Sequence, residues 1–410
     1  MSRGKGPMRS TRLLFTNVTI QSPGGDCKGF PLGAAARACG RNLPDFIGLT
    51  MPSAIRYIEN ERGKRRASLH KGRAIHTSIV IPCRNEVSSI AGLLHFLLET
   101  TNDDCEIIVA DGISDDGTRE VLQELSLRHP RIIVIDNPKR WTSAGLNQAV
   151  TRARGEIVVR MDAHTRYAKD YVARCIEVSN QTGADNVGGP QLAEAEGYVA
   201  SSIALACHSP IAVGGSRIHD PSYEGPTDSV IYGAWRRGIF DRIGLFDEEL
   251  ARNQDGEFNR RIIAHGGLIW QTPRIRSWYR PRGDLLSVFR QYAQYGYWKV
   301  REIGKYRSVA SLRHLVPAAF MGTAGALLIA GLLYWPAMPF FAALMGSYLL
   351  FLFASALPLC ARERAWTRLP LIPFVFACMQ VGYGYGFWRG VWDFRFFRRA
   401  GRPAFEELTR

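Results

Sequence analysis

The sequence predicts an α/β fold with a mostly parallel sheet, followed by apolar C-terminal helices. Three observations carry this prediction. Short apolar runs alternate with helical patterns between residues 78 and 162, an acidic residue stands at or just beyond the end of each run, and the last quarter of the chain holds long uncharged stretches. Strands and helices of these lengths in alternation favour a parallel sheet with right-handed crossovers. A chain of 410 residues is long enough for a catalytic domain with appendages.

Four apolar runs are predicted to be the strands of this sheet, namely residues 78–82, 106–111, 132–136 and 155–162. The first helix is predicted from Ile90, where leucines recur at spacings of three and four residues. A second helix is expected to begin at Thr118 and a third to run through Ala144. These elements place the carboxyl ends of the four strands along one rim of the sheet.

Carboxylates are expected along this rim, contributed by Glu86, Asp111, Asp136 and Asp162. In open parallel sheets, ligands bind outside the carboxyl ends of the strands. Four acidic groups on one rim repel one another unless a cation or hydrogen-bond donors lie among them. The alternative is that strand-end aspartates simply form turns and caps. The sequence therefore predicts a ligand site at this rim.

The triplet Asp162-Ala163-His164 is a candidate metal site at the end of the fourth strand. Residues i and i+2 of a strand point the same way, so both side chains are predicted to project together. A hard divalent cation held by two protein ligands keeps positions for phosphate oxygens of a substrate. The alternative is a pair of polar groups that face water.

Five ordered motifs resemble those of the family 2 glycosyltransferases, which have the nucleotide-diphospho-sugar transferase fold called GT-A. They occupy residues 81–86, 111–118, 144–147, 161–164 and 253–260. Within the family, the Asp-Ala-His variant at 162–164 and the Asn-Gln-Asp-x-Glu segment at 253–257 look most like the exopolysaccharide branch of succinoglycan ExoA-like transferases. Five motifs in the right order are more specific than any one of them.

The resemblance implies a nucleotide-diphosphate sugar donor, with UDP-hexose expected, and Mn²⁺ or Mg²⁺ held by Asp162 and His164. The family usually has a second aspartate where this chain has His164, and an imidazole ligand favours Mn²⁺ and makes binding pH-sensitive. The donor-binding residues that the resemblance implies are Pro82, Arg84, Glu86, Asp111, Ser114, Asp116, Asn147 and Asp162. For Asn147, a plain role on the helix surface is an equal alternative.

Asp255 is the expected general base, by its match to a Glu-Asp pair that opens a helix in this family. A base is needed because an acceptor hydroxyl is a poor nucleophile until it loses its proton. Gln254 replaces the glutamate of the pair, and Glu257 is expected to hold a cation or an acceptor hydroxyl. The alternative is that these acidic residues only complement the helix dipole, with Asn253 as a cap.

The N-terminal residues 1–74 are expected to be a basic, disordered extension. Up to residue 73 they hold 14 basic residues against 4 acidic ones, with no sustained periodicity and no apolar signal-peptide core. Met51 is an alternative start, and no nucleic-acid-binding module accompanies the basic arm. The eight cysteines show no pairing pattern, which favours a reducing compartment.

The C-terminal part is expected to attach the catalytic domain, residues 75–283, to a membrane. Residues 284–314 read as basic, aromatic interfacial helices, and residues 315–388 as a transmembrane region of two strong apolar runs and a weaker third. Basic clusters place the catalytic domain at the cytoplasmic face of the inner membrane in a multi-pass topology. A full third crossing is favoured, which would put the basic tail, residues 389–410, outside. The alternative is that the third segment is re-entrant or interfacial, which would keep the tail in the cytoplasm.

The sequence as a whole predicts a membrane-anchored, inverting glycosyltransferase. It would add a single hexose to a lipid-linked saccharide acceptor during exopolysaccharide biosynthesis. One alternative is a processive polysaccharide synthase, but Tyr297 stands where the Gln-x-x-Arg-Trp motif of such enzymes has arginine. The other is a catalytically inactive sugar-binding or scaffold protein, which the joint presence of Asp111, Asp162 and Asp255 disfavours.

Overall fold

The computed structural model describes residues 77–398 except 213, 215–216, 251 and 308–310, together with residues 401, 402 and 405 and two short strands near the N-terminus. The chain packs as two units, Met1–Ala74 and Ile75–Arg410. In the first unit, β1 (Val18–Gln21) pairs antiparallel with β2 (Cys27–Phe30). The expected disorder of the basic extension otherwise concerns residues outside those described.

The predicted strand–helix alternation is confirmed. In chain order the elements are β3 (Thr77–Cys83), α1 (Ile90–Thr100), β4 (Cys105–Asp111), α2 (Thr118–Arg128), β5 (Ile132–Asp136), α3 (Thr142–Arg152) and β6 (Ile157–Arg160). Strands β5, β4, β3 and β6 lie side by side in this order and are all parallel. Their carboxyl ends therefore share one rim, as the sequence predicts. Strand β6 ends two residues before Asp162, which is earlier than expected.

The elements after β6 include short strands that extend the large sheet on the β6 side, strands of a second sheet, and four helices. They are β7 (Arg166–Tyr167), α4 (Tyr171–Thr182), β8 (Asn186–Gly188), β9 (Gln191–Ala193), α5 (Tyr198–Cys207), β10 (Gly225–Pro226), β11 (Ala234–Arg236), α6 (Gly238–Ile243), α7 (Gln254–Ala264), β12 (Ile269–Gln271) and β13 (Ser277–Tyr279). The large sheet has the order β10-β12-β8-β11-β6-β3-β4-β5, and β11 is antiparallel to both its neighbours. Strands β7, β13 and β9 form a second, three-stranded sheet.

A hydrophobic cluster that includes Trp235 on β11 packs α7 onto the large sheet. Trp235 is only 2% exposed, and its ring centroid lies 5.5 to 6.0 Å from those of Phe240, Phe246 and Phe258 in edge-on contacts. An indole in this position has no face for a sugar, so it is a core residue that holds the start of α7 near the rim.

The C-terminal region consists of α8 (Leu285–Tyr306), α9 (Val316–Leu333), α10 (Met338–Arg362) and α11 (Ile372–Gly390), which continues into a π-helical segment, Val391–Phe396. Within the described part of the chain, two helical segments are long and apolar enough to cross a membrane. These are Leu312–Leu333 and Trp335–Arg362, with mean hydropathies of 1.9 and 2.0. The expected third crossing, residues 369–388, is not one of them.

Helix α11 instead packs along α8, and both helices run in the same direction. Glycines of α11 let the backbones approach closely: a Cβ on Gly382 would lie 2.6 Å from the carbonyl oxygen of Phe289, and one on Gly386 only 1.8 Å from that of Ala293. Residues 284–314 are expected to be interfacial, but Trp298 in this segment is 2% exposed and therefore contacts protein and not lipid headgroups. The apolar side chains and glycines of α11 are thus explained in part by packing against protein.

The C-terminal tail also returns to α8. Asp393 is fully buried and bonds both Arg402, at 2.5 and 3.0 Å, and the hydroxyl of Tyr297, at 3.2 Å. The ring of Phe405 stacks on Tyr297 with centroids 4.2 Å apart, and the Trp298 indole N–H donates to the Phe405 carbonyl at 2.9 Å. The tail thus contacts the helix that adjoins the catalytic domain, which argues against the expected placement outside.

These contacts predict that the chain's C-terminus lies on the same side of the membrane as the catalytic domain. A fluorescent reporter that matures only in the cytoplasm, fused after Arg410, should fluoresce, because only two of the described helical segments are long and apolar enough to cross a membrane. Alkaline phosphatase fused after Pro336, in the turn between these two helices, is the matched control and should be active. Active alkaline phosphatase fused after Arg410 would contradict this prediction and support a third membrane crossing.

Candidate active site

Two loops at the rim are joined by hydrogen bonds that fix both of them. The Asn85 amide N–H donates to Ser114 Oγ at 2.9 Å, and the Asn85 side chain exchanges bonds of 2.9 and 3.1 Å with Asp115. Asn85 and Ile113 both have left-handed backbone conformations, with φ of 53° and 55°. A β-branched residue such as Ile113 rarely adopts this conformation, and backbone strain of this kind clusters at functional sites.

Asp111 is buried beneath the second of these loops. Its carboxylate accepts a hydrogen bond from Ser114 Oγ at 2.5 Å and forms an ion pair with Arg119 at 2.7 Å. Arg119 reaches on to the exposed Asp136 at 2.8 Å. In this arrangement Asp111 shapes the loop, and its expected contact with the donor stays a prediction. The chain of charges does explain how several carboxylates share one rim.

The other residues expected to bind the donor differ in how they are placed. Pro82 pairs in register with Ala110 in the sheet, and the half-buried Arg84 lies over Gly112. Asp116 accepts hydrogen bonds from the hydroxyl and amide of Thr118 and from the amide of Val87. Burial raises the pKa of Asp116, but these hydrogen bonds to the charged carboxylate outweigh that effect and lower the pKa overall.

Asn147 is committed to the fold. Its amide nitrogen donates to the Phe246 carbonyl at 2.9 Å and to Glu248 at 2.8 Å, while its oxygen accepts from the Phe246 amide at 2.8 Å. This clamp joins α3 to the segment that precedes α7. The structure therefore supports neither the donor-pocket role nor the helix-surface role expected for Asn147, because the side chain is buried.

Asp162 and His164 lie in a turn, where the strand rule for residues i and i+2 does not apply. The turn closes with a hydrogen bond of 3.2 Å from the Thr165 amide to the Asp162 carbonyl. The two side chains have different partners: Asp162 faces Arg160, and His164 Nδ1 lies 3.1 Å from Glu86. The sequence-based argument for a shared direction is thus incorrect, although both residues remain at the rim.

Arg160, which the sequence analysis overlooked, connects the two aspartates expected to act on donor and acceptor. Its guanidinium holds Asp162 through bonds of 2.8 and 3.0 Å and Asp255 through one of 2.6 Å. The side chain is buried and also lies 5.8 Å from the Tyr232 ring centroid. Burial opposes its charge, but the charges of Asp162 and Asp255 outweigh this and raise the pKa of Arg160.

Asp255 lies in the first turn of α7, where the sequence places it. Burial raises the pKa of its carboxyl above the usual 3.8, the Arg160 charge lowers it, and the nearby Asp162 raises it further. A raised pKa suits a carboxylate that must take a proton near neutral pH. Asn253, expected as a cap, instead donates from its side chain to the Tyr295 carbonyl at 3.1 Å.

Glu257 is fully buried and fixes α7 to its surroundings. Arg261 binds its two oxygens at 2.8 and 2.9 Å, the Tyr306 hydroxyl bonds one of them, and Lys305 lies 3.8 Å away. No acceptor hydroxyl reaches a side chain in this position. The finding is at odds with the expected catalytic role, and we assign Glu257 to the fold.

Two further arginines lie close to the start of α7. Arg252 stands three residues before Asp255, and its Nε donates to Gln294 of α8 at 3.2 Å. Burial lowers the pKa of Arg252, Tyr295 opposes this, and the charge of Arg282 adds to the lowering. The sequence motifs included neither arginine. The one indirect signal was Gln294, the partner of Arg252, which belongs to the modified Gln-x-x-Arg-Trp segment.

The buried contacts of Glu257 lead to a prediction about stability. Glu257→Ala should lower the melting temperature clearly, because removing one partner of a buried ion pair costs about 3–5 kcal/mol. The exposed Glu99→Ala on α1 is the matched control and should melt like the wild type. Glu257→Gln should retain most of the activity below its melting temperature. A loss of about a hundredfold in kcat without a change in melting would instead mean that Glu257 acts in catalysis.

Comparison with known proteins agrees with this geometry. Residues 78–202 match the model of "Glycosyl transferase family 2". The chain is 32% identical over 327 residues to the succinoglycan biosynthesis protein ExoA of Rhizobium meliloti, covering 77% of this chain and 95% of the relative. It is 27% identical over 328 residues, 77% of this chain and 96% of the relative, to a dolichyl N-acetyl-alpha-D-glucosaminyl phosphate 3-beta-D-2,3-diacetamido-2,3-dideoxy-beta-D-glucuronosyltransferase of Methanococcus voltae.

A solved structure shares the fold. The mannosyltransferase PcManGT of Pyrobaculum calidifontis, in complex with GDP-Man and Mn²⁺, superposes with a TM-score of 0.53 at 21% identity, covering 82% of this chain and 94% of the other. The parallel sheet, the rim motifs and the ExoA similarity over most of both chains lead to one conclusion. The chain belongs to glycosyl transferase family 2 and is a glycosyltransferase with a GT-A fold.

Proposed function

We propose that the chain is a membrane-anchored, inverting glycosyltransferase that moves one hexose from a UDP-sugar to a lipid-linked saccharide acceptor. The site would lie at the cytoplasmic face of the cell membrane, in the assembly of an exopolysaccharide. The names of the two relatives support polysaccharide and lipid-linked glycan synthesis as the setting. Two apolar helices beside the catalytic domain support attachment to a membrane.

One observation carries the proposal: Arg160 pairs with both Asp162, the proposed donor-side carboxylate, and Asp255, the proposed base. Transfer with inversion needs the acceptor hydroxyl on one face of the sugar and the leaving diphosphate on the other. Asp255 then accepts the hydroxyl proton as the new bond forms. Arg160 stays charged and keeps Asp255 oriented, while the Asp162 side is left for the donor.

The residues at the rim fit a divalent cation. Among the residues that the structure describes, no three acidic, histidine or cysteine side chains form a metal cluster on their own. A donor-bound Mg²⁺ or Mn²⁺ needs fewer protein ligands, because substrate phosphates supply the others. Asp162 would be one ligand, since a carboxylate offers about four lone-pair sites and Arg160 uses two. When bound, the cation would neutralise the leaving diphosphate.

His164 would be the second ligand, in an orientation that Glu86 sets. Glu86 Oε1 lies 3.1 Å from His164 Nδ1, so Nε2 would be the ring nitrogen that binds a cation. Metal-bound histidines commonly have a carboxylate on the other ring nitrogen, which fixes the tautomer. Ser89 donates to the second oxygen of Glu86 at 2.8 Å and so holds the glutamate in turn. Glu86 thus serves the site indirectly.

A first test removes the metal ligand. Asp162→Asn should lower kcat by on the order of 10³-fold, a loss of several kcal/mol in transition-state stabilisation. The fully exposed Asp103→Asn is the matched control and should behave like the wild type. Excess EDTA should abolish transfer, and added Mn²⁺ should restore it. Full activity in EDTA would rule out a cation at Asp162.

A second test addresses the base. Asp255→Asn should retain binding of the nucleotide sugar, measured by calorimetry, while transfer falls by about 10²–10⁴-fold. In the wild type, kcat should fall on the acid side at a pH above 3.8, because the raised pKa lets Asp255 gain a proton there. Asp255→Asn should remove this acid limb. If it keeps more than about a tenth of the wild-type rate, another residue is the base.

A further inference from the structure

A cavity of about 480 Å³ opens between the catalytic domain and the turn that joins α10 to α11. Residues from both regions line it. Those with polar groups are Glu194, Glu196, Ser201, His208, Arg280 and Arg368. None of these residues belongs to the site described above. The turn, Trp366–Arg368, begins four residues after the end of a segment apolar enough to cross a membrane, so the cavity lies near the end of that segment.

The polar groups of this cavity suit a phosphorylated sugar. Arg280 and Arg368 approach from opposite regions, and guanidinium groups bind phosphate through paired hydrogen bonds. Glu196 is exposed, and a carboxylate accepts hydrogen bonds from sugar hydroxyls. Glu194 has part of its charge balanced by Arg166 at 2.5 Å. A simple phospholipid headgroup offers the phosphate but has less use for the carboxylates.

His208 adds a neutral polar group to the wall. Its Nε2 accepts a hydrogen bond from the Ala193 amide at 2.9 Å, which binds α5 to β9. Burial lowers the pKa of His208, Glu363 opposes this, and Arg362 adds to the lowering. The charge of the cavity near neutral pH is therefore set by the arginines and glutamates.

Strand β9 connects the cavity to the active site. At one end, Gln191 donates from its side chain to the Tyr232 hydroxyl at 2.7 Å, and Tyr232 lies under the Arg160 guanidinium. At the other end the strand leads into Glu194. Three residues of extended chain span about 10 Å. This distance is on the order of one sugar unit with its phosphate.

Further arginines lie near Arg280 in the sequence and near the start of α7. Arg282 stands two residues after Arg280, and its charge acts on Arg252. Arg252 stands three residues before Asp255. Positive charge is thus present both in the segment that holds Arg280 and in the segment that precedes Asp255.

Exposed aromatic residues mark the membrane edge of the cavity. Tyr198 at the start of α5 is 50% exposed, and Trp366 in the turn is 54% exposed. The Tyr198 hydroxyl donates to the Thr367 carbonyl at 2.8 Å, which ties the catalytic domain to the turn. Tyrosine and tryptophan are enriched at the interface between lipid and water. A lipid tail beside them would remain in the bilayer while its headgroup enters the cavity.

We propose that this cavity binds the diphosphate and first sugar of the lipid-linked acceptor, with Arg280 and Arg368 on the phosphates and Glu196 on the sugar. The inference rests on the proposed function, because it supplies the acceptor subsite of that reaction. The site is separate from the donor site, so its loss should change the handling of the acceptor alone.

The test uses the full chain in lipid nanodiscs and a synthetic farnesyl-diphosphoryl hexose as the probe. Binding of the probe is measured by calorimetry, and its KM by transfer from the nucleotide sugar. The double variant Arg280→Gln/Arg368→Gln should weaken binding and raise this KM by about tenfold or more, because charged hydrogen bonds to phosphate are lost. The KM of the donor and its slow hydrolysis without acceptor should stay unchanged.

Arg364→Gln is the matched control, because it removes the same charge from the same turn region outside the cavity lining. It should leave probe binding within about twofold of the wild type. An equal loss in this control would reduce the effect to general membrane charge and overturn the proposal. The proposal is also overturned if the double variant binds the probe normally, or if phosphatidylglycerol in the nanodisc, without the probe, occupies the site and competes with it.

The failure of the proposed function would look different. If no nucleotide sugar is hydrolysed or transferred by the wild type, the glycosyl transfer itself is in doubt. Probe binding by calorimetry still decides the cavity in that case. Binding that depends on Arg280 and Arg368 supports the subsite, and binding that ignores them overturns it.

Discussion

The guanidinium of Arg160 is a buried cation shared by two carboxylates that lie far apart in the sequence, and the geometry of the rim depends on it. A buried charge without a partner costs several kcal/mol, so Asp162 and Asp255 are both needed where they lie. Asp162 follows the same strand, whereas Asp255 comes from α7, 95 residues after Arg160. The ion pairs thus hold α7 against the central sheet and keep Asp162 and Asp255 on the same guanidinium.

Helix α7 and the residues just before it also contact α8 through several polar side chains. Glu257 joins α7 to Tyr306 at the end of α8, and Arg260 lies 3.8 Å from the buried Glu302 of α8. Gln294 binds Arg252 from the same helix. These contacts couple α7 to α8, and each of them is at least partly buried, where hydrogen bonds and ion pairs are stronger than in water.

The sequence predicted the parallel sheet and its rim well, because alternating apolar strands and helices depend on local periodicity. It failed where tertiary partners decide. Arg160 ends an apolar strand, and a charged residue there signals a buried partner, but which carboxylate pairs with it depends on the approach of α7. The motif correctly located Glu257 in the first turn of α7, but it could not show that the carboxylate is buried and bound by Arg261 and Tyr306. Asp162 and His164 diverged because β6 ends at Arg160 and a turn follows.

Helix α11 shows why composition alone could not give the topology. An apolar segment of about 20 residues fits either lipid or another helix. The glycines decide between them, because those at 382, 386 and 390 recur every four residues and so form one stripe of the helix. Each lies against a carbonyl oxygen of α8, where any side chain would collide. Small residues at this spacing permit close helix packing, and here they bring the chain back to its own catalytic side. The close packing of α11 on α8 thus brings the described part of the tail into contact with α8, the helix that follows the GT-A domain.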